Sequence, residues 1–455
     1  DADGTNLTKI VSNEINNRST PVELSAPPGY NPWSPSGDKI VIVVSVPRMG
    51  VIYLLANPNG DGINVLGTNF SDIISANRSK ISWQRDFTWS PDGIKAVFVV
   101  TDPVNKSEKM YVADADGFNI KQLASEVNES SLGSIAWSHD GKQIVSGGNN
   151  LWIVNSDGTG LKQLGACSGG VWSPDDSKLL CKSSEGVNDQ FLNHLYLIDV
   201  DSGDKTELIK SIEVETPIWN IDGSSILFKS ITERRNHGIY VADLSGRNVK
   251  LIHEEGNPVE RATVDAVSWN PDGSKIAFIS LDNGAKLYTI NPNGTGKTLL
   301  TSNLSWSWTS PYAWSPSGDK IAFSSSTANG EHVFISNPDG TERAQITTGG
   351  NKRYILSGMG GSWSPDGSRL LIESRNDMPS KDEIFIAKLS GYDRTMPIRA
   401  PENINQGKVA TPQQTVDAIQ EPAAIAGSPK MPGFSIIFAG IMLIVSVFFM
   451  KRWNA

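Results

Sequence analysis

Apolar residues in this chain fall in short runs broken by clusters of Ser, Pro, Asp, Asn and Gly. That pattern reads as strands joined by tight turns, with no amphipathic helix of useful length before residue 400. Eight Trp residues head near-identical turns: WSPSGDKI at Trp33, WSPDGIKA at Trp89, WSHDGKQI at Trp137, WSPDDSKL at Trp172, WNIDGSSI at Trp219, WNPDGSKI at Trp269, WSPSGDKI at Trp314 and WSPDGSRL at Trp363. Ser-Pro-Asp-Gly after an apolar run suits a β-turn, because Pro fixes φ, Asp bonds nearby N–H groups and Gly accepts positive φ. Strands follow, such as 275–280 (KIAFIS) and 320–324 (KIAFS), rich in β-branched and aromatic residues. A second signature comes next, a short apolar strand running into an Asx/Gly turn: 111–117 (YVADADG), 151–158 (LWIVNSDG), 288–294 (YTINPNG) and 334–340 (FISNPDG). A fourth strand, of the KQLA or KTLLT kind, closes each unit.

Trp33 and Trp363 lie 330 residues apart over seven intervals, a mean period of about 47, with single spacings from 35 to 56. This period fits a four-stranded propeller blade and places the variation in loops. The expected fold is all-β, a propeller of about eight four-stranded blades over residues 1–399. The WSPDG turn, IAF-like strand and IYV-x-DxDG segment resemble the TolB-type propeller repeat over roughly residues 1–392. Departures occur at His139 in place of Pro, Asp176 in place of Gly, and Asn220-Ile221 in place of Ser-Pro. Residues 1–10 (DADGTNLTKI) match the end of a third strand and a fourth strand. They are expected to complete the blade begun at Trp363, removing a sheet edge; the alternative is that an upstream blade is missing. Asp1-Ala2-Asp3-Gly4 shows neither an initiating Met nor a signal-peptide pattern, so the natural start is expected to lie upstream.

Composition narrows the partners. A formal charge of -9 and pI near 5.2 leave no basic face for phosphates, so nucleic acid is not expected. Neither of the two cysteines lies in a zinc-type spacing; Cys167 and Cys181 flank the fourth turn at similar offsets, which fits either a cross-strand disulfide or two buried thiols. Sequons at Asn6, Asn17, Asn69, Asn77, Asn105, Asn128, Asn293 and Asn303 fit a secreted glycoprotein. Asp114, Asp116 and Gly117 superficially suggest a calcium loop, but the bidentate Glu such a loop needs is missing, and a hairpin turn is the expected role.

No Gly-x-Ser-x-Gly elbow and no following hydrolase domain occur, so serine peptidase chemistry is not expected. His194, His237 and His332 each precede a third strand. A related-looking group of oligosaccharide lyases holds metal through His on such a propeller, so a carbohydrate-active lyase or hydrolase is the alternative enzymatic reading. The three belong to separate blades, too far apart to converge on one ion, and no metal or cofactor is expected. The candidate binding residues are Trp306 and Trp308, with Tyr312 nearby, in a loop between blades. Their rings could stack on a sugar or clamp a protein; the alternative is packing between blades.

Residues 400–431 carry Pro401, Pro412, Pro422 and Pro429 and no aromatic residue, and read as a disordered, flexible linker. Residues 434–450 (FSIIFAGIMLIVSVFFM) are uncharged and mostly apolar, spanning about 26 Å as a helix, and Lys451-Arg452 follow. One C-terminal transmembrane helix within 432–455 is therefore expected, with the propeller outside the cell. Pro432-Gly433-Phe434, the apolar stretch and the basic end resemble the PGF-CTERM sorting signal of archaeal surface proteins. That resemblance implies an archaeosortase-type processing enzyme that exchanges the tail for a lipid; the alternative is a permanent anchor. The function read from the sequence is a membrane-anchored surface module binding a protein or glycan, with a purely structural envelope role as a third possibility.

Overall fold

The computed structural model describes residues 7–12, 23–25, 31–46, 50–62, 64–65, 87–101, 108–123, 132–187, 190–211, 214–231, 237–255, 264–305, 311–348, 353–356, 362–375 and 383–389. The chain divides into two units, Asp1–Arg394 and Thr395–Ala455. The linker, the apolar tail and its Pro432-Gly433-Phe434 motif lie outside the described residues, among which no helix is long and apolar enough to cross a membrane.

Every element among the described residues is a strand, and the repeats fold as antiparallel meanders. In the sixth repeat, for example, Val264–Trp269, Ile276–Ser280, Lys286–Ile290 and Thr298–Thr301 pair in sequence order. Six such four-stranded sheets form, and a seventh sheet has eight strands. Within that larger sheet, Tyr312–Trp314, Ile321–Thr327, Gly330–Ser336 and Ala344–Gln345 make one meander. Arg353–Leu356, Arg369–Arg375, Glu383–Lys388 and Leu7–Ser12 make the other. A single parallel pairing, Glu331 with Arg353, joins the two halves. Leu7–Ser12 thus fills the outermost place beside Glu383–Lys388, with Leu7 opposite Ala387 and Thr8 opposite Ile386.

The second strand of the sixth repeat is apolar over 276–279 because both its faces are covered. Ile276–Ser280 is buried at every position. Its alternate side chains divide between two cores, as a period of two requires. Ile276 and Phe278 pack with Leu227 and Ile239 of the preceding repeat, whereas Ala277 and Ile279 pack with Tyr312, Trp314 and Phe323 of the next. Complete burial of a ring such as Phe278 is worth about 1.5–3 kcal/mol.

The turns add a polar framework to this packing. In the second repeat Gly93 N–H donates to Ser90 O (2.9 Å), Lys95 N–H to Ser90 Oγ (2.9 Å) and Ser90 Oγ to Asp92 Oδ1 (2.5 Å). Gly93 has φ near 71°, and a Cβ there would lie 3.2 Å from Pro35 of the preceding repeat. Glycine therefore serves both the left-handed backbone and the close approach of the neighbouring turn. Likewise Gly37 faces Pro365, so the first and last repeats meet; Arg369 Nη2 also donates to Gly37 O (3.0 Å).

All the signature Trp residues except Trp89 link one repeat to the preceding one through their indole N–H groups. Trp172 donates to Ala136 O (3.2 Å), Trp219 to Val171 O (3.0 Å) and Trp363 to Ala313 O (3.1 Å), in each case the residue just before the preceding signature Trp. Trp33 donates to Ser362 O (3.3 Å), carrying the same link from the first repeat to the last. Consecutive antiparallel sheets, with the last repeat linked back to the first, are the arrangement of a β-propeller.

Candidate functional site

Trp306 and Trp308 lie outside the described residues, but the segment leading into them is fixed. Leu304 N–H donates to Ala285 O (3.1 Å), Ser305 N–H to Ser324 O (3.0 Å) and Ser326 N–H to Asn303 O (2.8 Å). Thr301 Oγ1 and Ser325 Oγ, both buried, lie 2.9 Å apart beneath it. The backbone is thus tied to the sixth and seventh repeats directly before the two Trp residues.

Tyr312 requires a correction. It is 3% exposed, in the core shared by the sixth and seventh repeats. Its hydroxyl lies 3.2 Å from Ala266 O, 3.2 Å from Ala277 O and 3.1 Å from Ser268 Oγ. With ring and hydroxyl both engaged inside the protein, Tyr312 packs between sheets and presents no face for a ligand.

The three histidines sit on three separate sheets. His194 is buried within Gln190–Asp199, its Nδ1 2.8 Å from Glu207 Oε2, and stacks on Tyr196. His332 is buried within Gly330–Ser336, its Nδ1 3.3 Å from Thr347 Oγ1. His237 begins His237–Asp243 and gives its carbonyl to Glu255 N–H (2.9 Å). Among the described residues no three His, Cys, Asp or Glu side chains are grouped to hold a metal.

The turn carboxylates have local partners. Asp116 Oδ1 accepts from Phe118 N–H (3.0 Å) and Asp114 Oδ2 from Asn119 Nδ2 (2.6 Å), which is turn chemistry. The Ser173 hydroxyl, with the backbone N–H of Ser177, holds the Asp175 carboxyl below the usual carboxylate range, against some desolvation. Asp222 is lowered chiefly by the backbone N–H of Ser224.

A buried ionisable cluster between the fifth and sixth repeats had only the string His253-Glu254-Glu255 as a signal in the sequence. Glu255 is buried, with Oε1 3.0 Å from His253 Nε2. Burial opposes its charge, yet hydrogen bonds from His253 and Ser280, and the nearby Lys297, bring its pKa below the ordinary value. Lys297 Nζ stands 4.1 Å from the Tyr288 ring centroid, and desolvation lowers its own pKa.

Cys167 and Cys181 form a disulfide with Cα atoms 5.7 Å apart, buried against Val145, Leu151 and Ile153 of the third repeat. Two departures from the turn pattern meet beside it on the same seam. Asp176, with φ near 60°, accepts from His139 N–H (2.8 Å) and Asp140 N–H (2.9 Å), and lies 2.7 Å from His139 Nδ1. A Pro at position 139 would have no N–H to offer, so His139 and Asp176 fit each other. Of the sequon asparagines, Asn293 and Asn303 are exposed; Asn6, Asn17, Asn69, Asn77, Asn105 and Asn128 lie outside the described residues.

No family model matches the chain. A TolB homologue from Chlorobium luteolum is 26% identical over 142 residues, 31% of this chain and 30% of that protein, so the match spans about a third of its length. Dipeptidyl peptidase 4 from Porphyromonas gingivalis superposes with a TM-score of 0.51 at 13% identity, covering 80% of this chain and 59% of that one. An oligogalacturonate lyase from Vibrio parahaemolyticus gives 0.48 at 13% identity, covering 85% and 94%.

Proposed function

We propose that the chain is an eight-bladed propeller that acts as a binding module at the cell surface. The eight-stranded sheet is read as two blades touching at the Glu331–Arg353 pairing, with Leu7–Ser12 closing the last. The binding reading rests on one observation: Asn303–Ser305 is bonded on both sides to well-packed strands immediately before Trp306 and Trp308. Aromatic rings on a fixed base meet a ligand with little loss of entropy. The ligand is a glycan or protein. Residues 400–431 tether the propeller, and the apolar tail anchors it or is exchanged for a lipid by an archaeosortase-type enzyme.

Two experiments test this. A glycan array and surface-protein pull-down compare the full chain with the Trp306→Ala/Trp308→Ala variant; binding lost at unchanged melting temperature is expected, and unchanged binding excludes the loop. For the tail, mass spectrometry of the mature surface form distinguishes the routes, since peptides from 436–453 would rule out processing. The carbohydrate-active alternative would require metal-dependent turnover on that array. His194 and His332, buried on separate sheets with Glu207 and Thr347 as partners, weigh against it.

A further inference from the structure

Outermost strands carry a hazard, because their outer edge presents backbone groups that another strand can pair with. Comparison of one position around the propeller shows where this chain guards that edge and where it does not. Opposite the aromatic residue of the third strand stand Gln122 (facing Tyr111), Gln163 (facing Trp152), Glu207 (facing Tyr196) and Gln345 (facing Phe334). In the fifth and sixth repeats the same position holds Leu251 (facing Tyr240) and Leu299 (facing Tyr288). The first repeat has Val65 there, facing Leu54.

Leu251 and Leu299 are 41% and 48% exposed, and Val249, two residues before Leu251, is 44% exposed. Alternation puts Val249 and Leu251 on one side of Val249–Glu254. That strand is terminal in its sheet. The corresponding strand one repeat earlier, Lys205–Ser211, is also long but exposes Lys205, Thr206, Glu207 and Lys210. Leu251 and Leu299 stand where the second, third, fourth and seventh repeats place Gln or Glu, and with Val249 they make three large exposed apolar side chains on outer strands of successive repeats.

The charges beside them indicate the occupant. Arg247 and Lys250 are exposed on and before this strand, and Lys297 is exposed just before the next outer strand. On the same hairpin Glu254 and Asp243 are half-buried, the latter engaged by Ser245 and Asn248, and Glu255 is buried. The charges that this hairpin exposes along the edge are therefore basic, on a chain of net charge -9.

We propose that Val249–Glu254 is a docking edge for an acidic extended segment of a partner protein. The segment adds to the fifth sheet as a further strand, its alternate apolar side chains covering Val249 and Leu251. This proposal is independent of the loop carrying Trp306 and Trp308.

The test uses the full chain and three labelled synthetic peptides: alternating Val-Glu, alternating Val-Lys, and Val-Glu interrupted by Pro. The acidic peptide is expected to bind and to protect the amides of residues 249–254 from hydrogen exchange. The lysine and proline peptides should bind at least about tenfold more weakly. Leu251→Thr, at an exposed position and with strand propensity kept, should weaken the acidic peptide about tenfold, while Gln163→Thr at the equivalent place should not. Arg247→Glu/Lys250→Glu should reverse the preference between the two charged peptides, giving a second readout if Leu251→Thr fails to fold. Absent binding, equal binding by the proline peptide, protection elsewhere, or a dimer abolished by Leu251→Thr would each overturn the proposal.

Discussion

The seam between the third and fourth repeats differs from the seams around the rest of the ring. At five other seams a turn Pro lies against the turn Gly of the next repeat, as Pro35 against Gly93 and Pro174 against Gly223, and at the remaining two Asn220 and Asn270 face Gly273 and Gly318. At the third–fourth seam His139 and Asp176 replace that contact with three polar ones, and the Cys167–Cys181 disulfide stiffens the fourth repeat. The sheets also come close there: a Cβ on Gly147 would lie 2.7 Å from Gly169 N. Trp137 and Trp172 are only 35 residues apart, the shortest repeat in the chain. A short repeat leaves little loop to adjust, so this seam is held by specific side chains where five of the others rely on a Pro–Gly contact.

Breaking the seam at its centre should have the largest effect. Trp172→Ala removes a buried ring and the bond to Ala136 O, and should cost about 3–5 kcal/mol in denaturant unfolding. Cys167→Ala/Cys181→Ala opens a link between residues 14 apart, with an expected loss of about 3 kcal/mol read by the same titration under oxidising conditions.

The polar exchange can be tested directly. Asp176→Ala leaves the N–H groups of His139 and Asp140 without their acceptor and should cost about 1 kcal/mol. The double change His139→Pro/Asp176→Gly restores the Pro–Gly contact and should return stability to within about 0.5 kcal/mol of the parent, a coupling visible in a double-mutant cycle. If the singles and the double add, the two residues are not partners.

The smallest effect concerns acid. Asp38, Asp175 and Asp222 are held below their ordinary pKa by Ser hydroxyls and backbone N–H groups, led by Ser36, Ser173 and the Ser224 N–H respectively. Their contribution is present above the unfolded carboxylate value of about 3.9 and is lost as pH falls through the folded values. Melting temperature should therefore stay level from neutrality to about pH 5 and decline below about pH 4; a decline between pH 7 and 5 would implicate histidine instead.

The strands and turns were legible because each is specified locally: Ser-Pro-Asp-Gly fixes a turn wherever it stands, and an apolar run fixes a strand. The position of Tyr312 was legible too. It precedes Trp314 by two residues as Phe87 precedes Trp89, and the period of two puts both rings on the buried side. Its polar hydroxyl and neighbouring Trp residues suggested a ligand instead. The partnership of His139 with Asp176 could not be read, because each looked like a separate defect in its own turn and only the ring brings them together. The His253–Glu255–Lys297 cluster was hidden for the same reason, its members belonging to two repeats.

The pairing of Leu7–Ser12 with Glu383–Lys388 sets an order of events during synthesis. The first strand leaves the ribosome long before its partner exists. At ~5–20 residues per second, it waits on the order of 20–80 s for the chain to reach residue 388. Through that interval the nascent protein holds an unclosed arc whose first strand has no partner yet in its own chain. Chain closure is then a search over almost the whole polypeptide, and the yield of monomer should depend on how dilute the nascent chains are when it occurs.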